Sequence, residues 1–578
     1  MNSPSFSAAA VRTGIRSWAC ACALLAAAAC SGGGGPAAQN ATAPPTPPSS
    51  STPPPLAGAA DAARLLDQAT FGATAADVAH VQSIGIDAYI SEQLAYPPTQ
   101  YSGYAYTPHT APANCKNDGS NPPDASSLCA RDLYSPFQVQ RDFFTHALNN
   151  PDQLRQRVAF ALSQIMVVSS VEIYEAYGLA DYQNVLLRDA FGNYRTLLQD
   201  VTLSPTMGHY LDMANSAQTN PQNGTVPNQN YAREVLQLFS IGLLELNPDG
   251  TQQLDAGGAP IPTFDGATIE GFASVFTGWT YPPLPGATSR WTNPINFDGT
   301  MAAFADQHQQ GTKALLNGYT VPANQTPAQD LANALDNIFD HPNVGPFISK
   351  QLIQHLVTSN PSPAYVARVA AVFANNGQNV RGDLGAVVRA ILTDTEARGA
   401  APAANLFGRL REPALFITGT LRSLGGQSDG VLPRSASSAM GQPIFSPDTV
   451  FSFYPPSYQI PGTQTAAPEF GIENAATALA RANFVNTVIM QGGAKPDLTV
   501  AGSTGTTIDL TPLSSAAGNT QLIAQLNQTL MHGSLPSDAG SLILAAADSA
   551  TASSADPLAA ARVAAYLILT SAQYQVER

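Results

Sequence analysis

The sequence predicts a mainly α protein: one large multi-helix domain with long loops and at most a small β-hairpin region near 279–323. Three observations predict it. From residue 136 onward, apolar residues recur at three and four positions in one stretch after another, the period of a helix with one buried face. That pattern breaks between 279 and 323, where proline, glycine and isolated Trp, Tyr and Val point to loops and a short hairpin. No internal repeat of a solenoid-like period is present, so the helices belong to one body rather than an array.

Order is expected to begin near Ala59. Arg64-Leu65-Leu66 opens a helical pattern, Thr74 and Asp77 read as a capping box, and Val78, Val81 and Ile84 continue the apolar face. Residues 97–136 read as loop, rich in Tyr, Pro and Asn. Leu154, Val158, Ala161, Leu162, Ile165 and Met166 then form one apolar stripe. Tyr231, Val235, Leu238, Phe239, Leu243 and Leu246 form another, predicting a helix over 228–246 that Asn228 can cap. Val344, Ile348, Leu352 and Leu356 form a third, stopped by Pro361 and Pro363. Further helical stretches cover 364–375, 382–397, 407–424, 470–491 and 556–573. Residues 495–555, biased to Ala, Ser, Thr and Gly, read as short helices joined by long loops.

The N-terminus carries an address. Arg12 and Arg16 precede an apolar run over 18–29, too short to span a bilayer, and small residues lead directly to Cys30. This is the layout of a secretory signal. A cysteine in that place resembles a bacterial lipobox, with Ala27 where leucine is commoner, and implies lipidation of Cys30 after removal of residues 1–29. The alternative is an ordinary signal cut elsewhere. Residues 30–57 follow as a disordered Gly/Pro/Ser-rich tether without charge, and the helical domain occupies 58–578. The expected location is an exported, membrane-anchored lipoprotein, at the outer membrane, facing periplasm or surface.

A net charge of −15 with only 12% charged residues argues against nucleic acid, whose binders need a basic surface. Once the signal and Cys30 are set aside, Cys115 and Cys129 remain as an even pair in an oxidising compartment, which predicts a disulfide. A metal site there would need more ligands, and His109 is the close candidate. No metal or cofactor is implied by any motif. Walker, His-Glu-x-x-His, Gly-x-Gly-x-x-Gly and Cys-x-x-Cys signatures are absent. Gly426-Gln427-Ser428-Asp429-Gly430 fits Gly-x-Ser-x-Gly, but a helix rather than a strand is expected before it, and only His532 follows.

Two segments carry candidate chemistry. His308 and Lys313 sit in a polar stretch with Gly311, a loop able to bind an anion or move a proton, or simply a solvated turn. Arg233 and Glu234 lie on the predicted 228–246 helix, with Glu234 at the edge of the apolar stripe. A half-buried carboxylate there is expected to pair with an arginine. His355 reads as a core histidine and His341 as a helix start.

Arg64-Leu65-Leu66 with Ala69-Thr70-Phe71-Gly72, Ala190-Phe191-Gly192-Asn193-Tyr194, Asn230-Tyr231-Ala232-Arg233-Glu234 and Phe276-Thr277-Gly278-Trp279 resemble motifs of the bacterial DUF1800 family. So do His341-Pro342-Asn343-Val344, Arg411-Glu412-Pro413 and Val450-Phe451-Ser452-Phe453-Tyr454. The resemblance runs from about residue 60 to the C-terminus and implies no reaction. It does imply an exported protein, often encoded beside a DUF1501-type protein, itself similar to sulfatases and phosphatases. Two family acids are replaced, by Gln229 and Gln309.

Two functions follow as expectations. One is a binding or assembly lipoprotein working with a DUF1501-type partner. The other is a tethered hydrolase acting on envelope or environmental polymers such as polysaccharide, to which the tyrosine-rich loops are suited. Convergence of Arg233, Glu234 and His308 in one cleft favours the enzyme, and their dispersal favours the binder.

Overall fold

Helix after helix forms where the apolar periodicity places it. The computed structural model describes residues 57–117, 128–399 and 407–577, so the signal, Cys30 and the tether to residue 56 lie outside the described residues. The first helix, Ala59–Ala69, buries Leu65, Leu66 and Ala69. Thr74 caps the second, Ala75–Ile84, by accepting the Asp77 amide at 3.0 Å. One contiguous apolar core runs from Ala62 to Tyr574, so both ends of the described chain belong to it. The strand pair Arg409–Leu410 and Val576–Glu577, antiparallel, fastens the C-terminus to that core.

The helix Gln153–Ile165 departs from a one-faced stripe, because Arg155, Gln156, Arg157 and Gln164 are buried beside its apolar residues. Neighbouring helices cover it on several sides, among them Val344–Leu356, Ala176–Asp189 and Phe137–Asn149. A polar residue on such a helix must find partners inside the protein.

The helix predicted over 228–246 is shorter, Asn230–Gln237. Ser240 hydrogen-bonds its hydroxyl to the Val235 carbonyl, and Gly242, at φ 74°, donates its amide to Leu236 at 3.0 Å. A left-handed residue turns the chain out of the helix, and glycine adopts it without strain. Leu243 is exposed as a result, and 244–262 folds back on itself through isolated bridges.

Between 279 and 323 two short antiparallel pairs form, Trp279–Thr280 with Ala302–Ala303 and Lys313–Ala314 with Thr320–Val321. A further small sheet joins Gln427–Ser428, Thr506–Thr507 and Gly493–Ala494. The Ala/Ser-rich C-terminal segment holds Ser537–Ser553, at 17 residues the longest α-helix among the described residues. High alanine propensity outweighs the weak apolar pattern that suggested short helices there.

Cys115 and Cys129 are bonded, with Cα atoms 5.0 Å apart. The bridge closes a loop of 14 residues and should stabilise by about 3 kcal/mol in the chain-entropy model. Thiol labelling of the denatured, unreduced protein should find neither cysteine reactive. Labelling of both would remove the bridge.

Candidate functional site

His308 and Lys313 come together, but in the interior. The expected solvated loop is instead folded over the helix Gly266–Val275, where Gly271 allows contact that a side chain would block: a Cβ there would lie 1.8 Å from the Ala314 carbonyl oxygen. His308 Nε2 lies 2.9 Å and Lys313 Nζ 2.6 Å from the same oxygen of Asp330, on the helix Pro327–Phe339. The other ring nitrogen of His308 faces the Thr277 carbonyl at 2.8 Å. None of the three side chains is more than 1% exposed. This is an internal fastening, out of reach of a substrate.

Arg233 and Glu234 are held elsewhere, and no hydrogen bond or ion pair among the described residues links them to His308 or Lys313. Arg233 is exposed. Glu234 is buried, as expected, yet it forms no ion pair with an arginine among the described residues, and its Oε2 has no hydrogen-bond partner there. The pairing expected from the sequence is therefore corrected: neighbouring positions on a helix do not face each other, so Arg233 points away to solvent. Burial pushes the Glu234 carboxyl up, with Arg233 opposing weakly from outside. A raised pKa means that this group favours folding only below its ordinary range and opposes it as pH rises through the folded value. Glu234→Gln should consequently be neutral or stabilising by up to ~1 kcal/mol at pH 8, with the difference vanishing in acid. Denaturant titration at both pH values checks this, and a destabilised amide variant would restore a paired role.

The two replaced acids sit in undemanding places. Gln229 is exposed at the helix start. Gln309 accepts the Thr219 amide at 2.9 Å, a bond that a carboxylate would make equally well. The Gly-x-Ser-x-Gly match has no catalytic partner: Ser428 bonds Thr506 at 2.7 Å, and His532 bonds Asp67 at 2.8 Å.

A large cleft, about 830 Å³, lies between the first helix, the turn around His532 and the C-terminal residues. Its charges are matched. One oxygen of Asp67 takes both Arg411, at 2.6 Å, and His532. Burial alone would raise the Asp67 carboxyl, but Arg411 and His532 overcome it and hold the group well below the usual range. The Arg411 guanidinium in turn lies 4.9 Å over the Tyr574 ring. Every strong charge there has found a partner, so the cleft reads as a clasp between the chain ends.

A second groove leaves its acids unmatched. It has a cavity of about 150 Å³ and is lined by Tyr101, Tyr104 and Tyr106 from the long loop, by Tyr177, Asp181 and Asn184, and by Asp298. Positions 177, 181 and 184 share one face of the helix Ala176–Asp189, since they follow at i, i+4 and i+7. Asn184 holds the loop in place, accepting the Tyr101 amide at 2.8 Å and donating to its carbonyl at 2.9 Å. The Tyr177 hydroxyl accepts the Phe297 amide at 3.1 Å, which brings the segment with Asp298 alongside. Burial and the neighbouring Asp298 push the Asp181 carboxyl up to about 6, against a pull from Arg188. Among the described residues, no hydrogen bond reaches the Asp181 side chain.

From this groove a run of aromatic contacts passes through buried rings. Tyr106 meets Tyr177 at 5.5 Å, Tyr177 meets Phe297 at 5.7 Å and Phe297 meets His209 at 5.6 Å between ring centres. His209 meets His109 at 5.6 Å. His109 Nδ1 lies 2.6 Å from Glu175, which is fully buried at the start of the same helix and has Oε2 without a partner among the described residues. His109 therefore serves Glu175 rather than the cysteine pair. Burial raises the Glu175 carboxyl, and bonds from its own amide and from His109 oppose the rise. The sequence reading missed Glu175, Asp181 and Asp298. The tyrosine-rich loop was one signal for them, and the helical spacing of Tyr177, Asp181 and Asn184 was another.

Residues 64–576 match the family described as "Protein of unknown function (DUF1800)". The chain belongs to the DUF1800 family. No curated protein and no solved structure matches it. In this DUF1800 protein the family-like motifs are mostly internal fastenings. Arg64 bonds the carbonyls of Arg398 and Gly399, Asn193 caps the helix Tyr194–Leu203, Thr277 holds His308, and Glu412 lies in a buried ionic network. The tyrosine groove is built largely from residues outside those motifs.

Proposed function

We propose that this DUF1800 protein is an exported, lipid-anchored envelope protein that binds a saccharide in the tyrosine groove. The observation that carries the reading is the groove itself: four tyrosines, two carboxylates and an amide converging on one cavity. A sugar ring offers an apolar C–H face and a rim of hydroxyls, and tyrosine offers a flat apolar face with a polar edge. The separation of Arg233 and Glu234 from His308 and Lys313 supports a binding role over catalysis at those four residues. No helix among the described residues is long and apolar enough to cross a membrane, and the lipobox-like run ending at Cys30 supports an acyl anchor. Cys30→Ser should release the protein from the membrane fraction, and unchanged fractionation would overturn the lipid anchor.

Tyrosine fluorescence titrated with a panel of neutral and amino oligosaccharides tests the groove. Tyr106→Ala, at a site 38% exposed, should weaken binding without altering the melt. A panel with no binder would overturn the reading. Retrieval of a DUF1501-type protein from envelope extract on the tethered chain tests the partnership.

A hydrolytic second reading is favoured by one observation, the Asp181 carboxyl raised to about 6 beside Asp298. Such a group can donate a proton near neutral pH. Release of reducing ends from the same oligosaccharides, abolished by Asp181→Asn, is its signature. Binding without release would leave the protein a binder.

A further inference from the structure

We infer that a small polar cavity beneath the segment 452–469 is a binding site for water, bonded in place by Gln164, Gln351 and Ser452. It shares no lining residue with the tyrosine groove, so the inference is independent of the saccharide reading.

The cavity, about 20 Å³, is walled by Gln164 of the helix Gln153–Ile165, by Gln351, Gln354 and His355 of the helix Val344–Leu356, and by Ser452 and Glu469. Three bonds hold the covering segment down. Gln354 donates to the Pro456 carbonyl at 3.1 Å, the Tyr454 hydroxyl to Glu412 at 2.9 Å, and the Ser359 hydroxyl to Glu469 at 2.8 Å. Beneath it, Gln164 Oε1, Gln351 Nε2 and Ser452 Oγ have no hydrogen-bond partner among the described residues. None of these three residues is more than 8% exposed. Buried polar atoms are costly unless bonded, and three around one cavity call for an occupant. Ser452 adds a second sign. Its φ of 63° is one that glycine takes freely, so a serine there keeps its hydroxyl at the expense of strain.

The lining decides what the occupant is. Gln164 Nε2 donates to Glu412 at 3.0 Å, which fixes the amide and leaves its oxygen in need of a donor. Gln351 Nε2 needs an acceptor. The occupant must therefore both donate and accept: a bare cation cannot accept, and a fully ionised anion cannot donate. His355, lowered to about 4 by burial, is neutral at neutral pH and offers one donor and one acceptor. Glu469, pushed by burial up to about 7, offers either a hydroxyl or a carboxylate. Water can answer each of them. A water molecule needs about 10–15 Å³ of such space, so about one or two fit and a larger ligand does not.

A crystal structure of the mature protein, at a resolution that shows ordered water, should place density about 2.7–3.2 Å from Gln164 Oε1, Gln351 Nε2 and Ser452 Oγ. Oxygen-17 relaxation dispersion counts long-lived internal water in solution. The double variant Gln164→Met with Gln351→Met keeps the bulk of both side chains and removes the acceptor and the donor. It should lower that count by about one or two, because an apolar cavity of this size stays dry. An unchanged count would overturn the inference. So would a parent crystal structure in which the three atoms bond to protein groups or coordinate a metal ion, and that result stands whether or not the double variant folds.

Discussion

Glu412→Ala should destabilise this protein by about 3–5 kcal/mol, because it strands buried arginines. Glu412 is fully buried, and its Oε2 accepts Gln164 at 3.0 Å, Gln442 at 2.6 Å and the Tyr454 hydroxyl at 2.9 Å. Arg409 lies 3.9 Å from the other oxygen, and Arg157, also fully buried, contributes a second positive charge. Burial alone would raise the Glu412 carboxyl, but Arg157 and Arg409 overcome it and lower the group. A folded pKa below the unfolded one means that the stabilisation is present above the ordinary glutamate range and is lost as pH falls through the folded value. Glu412→Gln should lose less, since the amide keeps an acceptor for the three donors. Urea unfolding at neutral pH measures both variants. An alanine variant as stable as the parent would show that the arginines are satisfied without Glu412.

Asp330→Ala should lose a similar amount, about 3–5 kcal/mol, for the same physical reason at a different place. Asp330 is the carboxylate shared by Lys313 and His308, and among the described residues Lys313 is otherwise bonded only to the Gly311 carbonyl at 2.9 Å. An ammonium group left in the interior with one carbonyl is poorly solvated. The double variant Asp330→Ala with Lys313→Met removes the stranded charge and should recover part of the loss. Full recovery of neither stability nor cooperativity in the double variant would mean that His308 is the partner that matters. A single variant with parental stability but altered ligand binding would return His308 and Lys313 to a functional role.

Both residues had drawn attention in the sequence for the wrong reason. His308 and Lys313 look polar and surface-like because their neighbours Gln307, Gln309, Gln310 and Thr312 are polar. Their burial depends on Asp330, more than fifteen positions along the chain, and on the close approach permitted by Gly271. Glu234 shows the converse. Its burial was legible from its place beside the Tyr231–Val235 stripe, but no arginine pairs with it among the described residues, because the identity of a partner is not a periodic property. Tyr177, Asp181 and Asn184 were readable as one helix face, while their meeting with Tyr101 and Asp298 was not.

By itself the sequence determined the helical class, most helix positions, the disulfide and the family, because each rests on local periodicity, on parity of cysteines or on ordered motifs. Helix ends set by a single left-handed residue, such as Gly242, were less legible, since the stripe continues past them. Only the tertiary structure decided which charges are matched. It paired Asp67 with Arg411 and His532, and Asp330 with Lys313 and His308, across long stretches of chain. Among the described residues it left Asp181 without such a partner. The physical reason is that Coulomb and hydrogen-bond energies depend on distance in space and on exclusion of water, and neither is encoded in the spacing of residues along a chain.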